Sequence, residues 1–101
     1  MYFTAEYKEY LEYAEQIKEL QDGSLNKVDD AILDIGFTLG SVLQKAFDYD
    51  FFVDWCERSD EAKHMKEELV KLGDEIENSG KADSLTMARL EAIYQLLIIL
   101  E

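Results

Sequence analysis

The stretch "LNKVDDAILDIGFTLGSVLQKAF", Leu25 to Phe47, decides how this chain folds. Leu25, Val28, Ile32, Ile35, Leu39, Val42 and Ala46 follow one another in steps of three and four, the spacing that lines one face of an α-helix. Ala31, Leu43 and Phe47 widen that face beyond a coiled-coil strip, as bundle packing requires. At 1.5 Å per residue the segment spans roughly 34 Å, about six turns. Gly36 and Gly40 interrupt it, and each costs about 1 kcal/mol relative to alanine in a helix interior. Their spacing of four predicts a groove entered closely by the backbone of another helix; a kink near Gly36 is the alternative.

Three more helical patterns flank this one. The first runs from about Thr4 to Asp22, with Phe3, Tyr7, Tyr10, Ala14 and Ile17 as its apolar stripe and Leu11, Tyr13 and Leu20 widening it. Thr4 is placed to cap it, as Ser24 is for the second helix. The third spans roughly Asp60 to Ser79, capped by Ser59 or Asp60 and stopped by Gly80, with Ala62, Met65, Leu69, Leu72 and Ile76 as a narrow seam. The fourth starts at Asp83 or Ser84 and reaches almost to Glu101. Its end, "YQLLIIL", is apolar nearly all round, which calls for burial between neighbours or in an oligomer.

The 101 residues include no proline and five glycines, a composition natural for helices joined by short turns. The expected fold is all-α, an antiparallel four-helix bundle-like single domain over residues 1–101. A short extra helix around 50–57 is part of that expectation, unless the second helix bends and continues into the third. One cysteine leaves no internal disulfide and no multi-thiolate zinc site. The longest apolar run, "LLIIL", falls far short of the roughly 20 residues of a membrane span. No basic region followed by an apolar run opens the chain, so a soluble, cytoplasmic protein in a reducing compartment is expected.

Chemical motifs are sparse. His64, the only histidine, has Glu61 three residues before it and Glu68 four after. Glu-x-x-His is a di-iron bundle motif, but such sites need a second copy from another helix, and no second histidine exists. Cys56 lies between Asp54 and Glu57, which disfavour its thiolate; a buried structural thiol is the expectation. "GFTLG" is neither a Walker loop nor a dinucleotide fingerprint. Acid pairs spaced as in magnesium-dependent helical-bundle hydrolases occur, as at Glu9–Glu12 and Asp74–Glu77, without a Lys/Arg constellation to grip phosphate. That enzyme class is a minor alternative. No catalytic residue, metal or cofactor is expected.

Charge carries more information. Twenty-three acids face ten bases, for a net charge of −13. This disfavours direct binding of nucleic acid or an anionic membrane and favours a basic protein partner. Residues 22–61 hold −7 of that charge, gathered around "FDYDFFVDWCE", Phe47 to Glu57. The expected partner-binding residues are Asp29, Asp30, Asp34, Asp48, Tyr49, Asp50, Asp54, Trp55, Glu57, Asp60 and Glu61. An aromatic anchor inside a charged rim is a common construction of binding surfaces. The function expected on charge and size is a non-enzymatic inhibitor or neutralising protein, of anti-restriction, anti-CRISPR, immunity or antitoxin type. Its carboxylates would engage a surface shaped for phosphates. The alternative is an adaptor, assembly or secretion-chaperone subunit that forms a homodimer through the fourth helix.

Overall fold

Four polar side chains set the start of four helices in the same way. Thr4 Oγ1 accepts from Tyr7 N at 3.0 Å, Asn26 Oδ1 from Asp29 N at 2.9 Å, Ser59 Oγ from Ala62 N at 3.3 Å and Asp83 Oδ1 from Thr86 N at 2.7 Å. Each satisfies a backbone donor that the first helical turn leaves orphaned. The computed structural model describes residues 4–20, 26–45 and 49–100. It comprises α1 (Ala5–Leu20), α2 (Lys27–Lys45), α3 (Tyr49–Arg58), α4 (Asp60–Asn78) and α5 (Ser84–Leu100). There is no strand among the described residues. The caps at Thr4, Ser59 and Asp83 are those the sequence predicts. Ser24 lies outside the described residues, and Asn26 caps α2 instead. The short helix expected around 50–57 is α3, and Ser59 separates it from α4. Beyond Asn78 the chain turns at Gly80, whose φ of +70° suits glycine's lack of a Cβ.

The most apolar helix, α5, is also the central one: it packs against α1, α4 and α2. Its Ala92, Leu96 and Leu100 are fully enclosed, as are Ile17 of α1, Ile32, Leu39 and Leu43 of α2 and Leu69 of α4. Enclosing a leucine or isoleucine is worth about 1.5–3 kcal/mol relative to leaving it in water. These positions are therefore where the folding free energy is concentrated. The α4 seam is buried throughout, from Ala62 to Ile76, as is the α1 stripe from Tyr7 to Ile17. Leu11 and Leu20, expected to widen that stripe, are exposed, because α1 presents only a narrow face to its neighbours. Phe3, Leu25, Ala46 and Phe47 lie outside the described residues.

The glycine groove on α2 has a different occupant from the one its spacing predicts. Two tyrosine side chains of α1 fill it, not a helix backbone. A Cβ on Gly36 would fall within the Tyr10 phenol, and one on Gly40 would meet the Tyr7 hydroxyl. Tyr7 Oη donates to the Gly36 carbonyl at 2.9 Å and Tyr10 Oη to the Ile32 carbonyl at 3.3 Å. The two rings lie 5.5 Å apart, tilted by 39°. The glycines therefore serve side-chain insertion, and α2 stays one uninterrupted helix across both.

Two expectations follow. Gly36→Ala gains up to about 1 kcal/mol in helix propensity but overpacks against Tyr10, for a net loss of about 1–3 kcal/mol. Urea unfolding will show that loss largely relieved when Tyr10→Leu is added, a non-additive pair. Second, burial raises the pKa values of Tyr7 and Tyr10 and pushes Cys56 from its ordinary 9.0 up to about 11, with Glu57 adding to the rise and Lys66 opposing it. The unfolded chain then releases these protons first. The Cys56 contribution to stability is complete below about pH 9 and is lost as pH rises through about 11, while that of the tyrosines begins to fall only above their ordinary 10.0. Thermal melts across that window should show a falling Tm, with a shallower slope in Tyr10→Phe.

Candidate protein-binding surface

Side by side, α2 and α4 leave a groove of about 310 Å³. Ala31 and Ile35 of α2 and Met65 of α4 give it an apolar floor, while Asp34, Glu61 and Glu68 supply carboxylates from both sides and His64 adds an imidazole. The Thr38 hydroxyl also lines it but donates to the Asp34 backbone carbonyl at 3.0 Å, so it does not occupy the Asp34 carboxylate. Sequence spacing explains the arrangement. Asp34 stands one position before the buried Ile35, and Glu61, His64 and Glu68 share one face of α4 at steps of three and four. An apolar floor under a ring of carboxylates suits a lysine or arginine side chain, whose methylene stem lies on the floor while its head meets the acids. Among the described residues, no three His, Cys, Asp or Glu side chains converge as metal ligands.

The expected residues that lie among the described ones fall in different settings. Asp34 and Glu61 meet across this groove, and Asp30 is exposed one turn before Asp34 on α2. Asp50, Asp54 and Glu57 are exposed along α3 at steps of four and three, and Asp60 is exposed at the start of α4. Asp54 accepts from Arg58 at 2.8 Å, an exposed pair one turn apart. Asp48 and the side chain of Tyr49 lie outside the described residues.

Asp29 requires correction. It is 0 % exposed and sits in the core, not on a docking face. The Arg89 guanidinium of α5 grips it with both prongs, Nε to Oδ1 at 2.6 Å and Nη2 to Oδ2 at 2.7 Å. Hydrogen bonding to Asp29 raises the Arg89 pKa further, against the opposing effect of burial. A buried carboxylate is tolerated only when paired in this way. Asp29 thus fastens the first turn of α2 to α5 and is withheld from any partner.

The aromatic cluster divides. Phe52 is buried and Trp55 is half-buried, stacked on Phe52 with ring centroids 5.9 Å apart. Phe51 is 52 % exposed between Asp50 and Asp54. Sequence reasoning placed the aromatic anchor at Tyr49 or Trp55; the exposed ring described on α3 is Phe51. Helical spacing held the signal, since Phe52 and Cys56 share the inward face one turn apart while Phe51 points off it. Cys56 is buried with Sγ 3.9 Å from the Ile99 carbonyl, as expected of a structural thiol. Glu61 and His64 were seen in the sequence as a Glu-x-x-His pair, and neither His64 nor Glu68 as a groove wall, because nothing local tells which helix faces α4.

No family model, curated protein or solved structure matches the chain.

Asp29→Asn leaves Arg89 with a neutral partner in the interior and should cost about 3–5 kcal/mol of folding stability. Asp34→Asn, on the exposed groove wall, should stay within about 0.5 kcal/mol of the parent. Paired urea denaturation curves check both.

Proposed function

We propose that this protein is a non-enzymatic binding module that engages a basic surface of another protein, as a small inhibitor or neutralising protein does. The observation that carries the proposal is the α2–α4 groove, where an apolar floor is ringed by Asp34, Glu61 and Glu68. The exposed acids of α3 and the Phe51 ring extend the same chemistry onto a neighbouring element. Its scaffold in this reading is a four-helix bundle of α1, α2, α4 and α5, with α3 at a corner, forming a single domain. The described contacts support that arrangement: α1 packs on α2 and α5, and α4 on α2 and α5.

Carboxylates held on rigid helices attract a basic partner over distance and fix its register on contact. In this reading the partner's surface is one shaped for phosphate, and the protein acts in the cytoplasm beside nucleic-acid enzymes. No helix among the described residues is long and apolar enough to cross a membrane.

Affinity capture from a cell lysate at low and high salt tests the proposal. A specific partner should be retained at low ionic strength and released as salt rises. The double variant Asp34→Asn/Glu61→Gln should weaken capture at least about tenfold, and Phe51→Ala should weaken it independently of salt. Retention that is indifferent to salt and to all three substitutions would remove the acidic surface from any binding role.

A further inference from the structure

A second groove runs between α4 and α5 and shares no lining residue with the acidic one. Its volume is about 410 Å³, and its walls are Val70 from α4 and Met87, Leu90, Tyr94 and Leu97 from α5. Val70 is 51 %, Met87 48 % and Tyr94 54 % exposed, and Ile98 continues the line at 38 %. On α5, Met87, Tyr94 and Ile98 fall in one stripe interrupted only by Glu91. From Met87 to Ile98 this stripe is about 16 Å long, roughly three helical turns. Gly73 deepens the wall of α4, its missing side chain leaving only the Ile93 methyl, 3.8 Å from where a Cβ would lie. An apolar line of this kind, with a methionine and a tyrosine along it, stands out on a chain of net charge −13.

The lining also contains Asp74, Glu77 and Glu91 and no base. Lys66 and Lys71 stand on the outer face of α4, so negative charge is concentrated at the end of the groove nearer the turn through Gly80. We infer that this groove docks an amphipathic helix of another protein, whose apolar face carries lysine or arginine along its flank. Charge decides between the occupants. The groove lining of a second copy would bring no base to meet these acids. A basic helix instead pairs its cations with Asp74, Glu77 and Glu91 while its apolar ridge enters between Val70 and Tyr94. Two antiparallel helices, joined here by the short Ser79–Asp83 connection, form a trough that accepts a third helix by ridge-and-groove packing. The partner's most basic end points toward the α4–α5 turn.

The test uses the full chain and a synthetic, fluorescently labelled Leu/Lys amphipathic helix of about 18 residues, roughly five turns. Binding is read by anisotropy at low salt, beside a Leu/Glu helix of the same apolar pattern. The Leu/Lys helix should bind and the Leu/Glu helix should not. Met87→Ser/Tyr94→Ser should weaken binding at least about tenfold, and Glu77→Gln/Glu91→Gln should flatten its salt dependence. Asp34→Asn/Glu61→Gln, in the other groove, should leave it unchanged, which separates this docking site from the acidic surface. The substituted residues are exposed except for the half-buried Glu91, and circular dichroism melts check that each variant keeps the native fold. Four outcomes overturn the inference: no binding of the Leu/Lys helix, equal binding of the Leu/Glu helix, or loss of binding only in Asp34→Asn/Glu61→Gln. The fourth is concentration-dependent self-association that Met87→Ser/Tyr94→Ser abolishes, which would make a second copy the occupant.

Discussion

Two phenol rings set into two glycine notches hold the first half of this structure in register. Tyr7 and Tyr10 are buried, yet both hydroxyls reach α2 carbonyls, so the rings gain apolar burial without stranding a polar atom. Remove either glycine's open space and α1 would have to shift along or away from α2. Because α1 also lies along α5, such a shift would propagate into the centre of the core. Tight interiors transmit displacement instead of absorbing it.

Acidity is sorted by the same architecture. One aspartate of α2 is drawn inward to Arg89, where it ties two elements sixty residues apart in sequence. The remaining described acids of α2 and α3 stay in water. Interior pairing and exterior accumulation are different uses of one residue type, distinguished only by which helix face a position occupies. Asp29 lies one step from Val28 and three from Ile32, on the buried side; Asp30 and Asp34 lie across from it. Repulsion among the exposed acids lowers stability and favours encounter with cations.

The all-helical class and most inward faces were legible in the sequence because periodicity and caps are local signals, while the separation of α3 from its neighbours was left open. The α4 seam shows this well: Ala62, Met65, Leu69, Leu72 and Ile76 are spaced for one face, and all are buried. What escaped was everything that depends on which helix meets which. Gly36 and Gly40 announced a close approach, but nothing near them named tyrosines some thirty residues earlier. Asp29 read as one more surface acid because its cation comes from α5. The last helix, apolar nearly all round, gave no clue that its enclosed side faces α1 and its open side borders α4. Both grooves arise from such pairings, so neither could be located from spacing alone.

The pairing of α1 with α5 has a consequence for how the molecule is made. On the ribosome, α1 emerges with a tyrosine–alanine–isoleucine stripe that packs far more against α5 than against α2. Its main partner, α5, follows only after α2, α3 and α4. Closure across three intervening helices is entropically slow to nucleate. A nascent chain must therefore carry much of that stripe uncovered until α5 has been made, and the net negative charge of the chain would help keep such half-built chains apart.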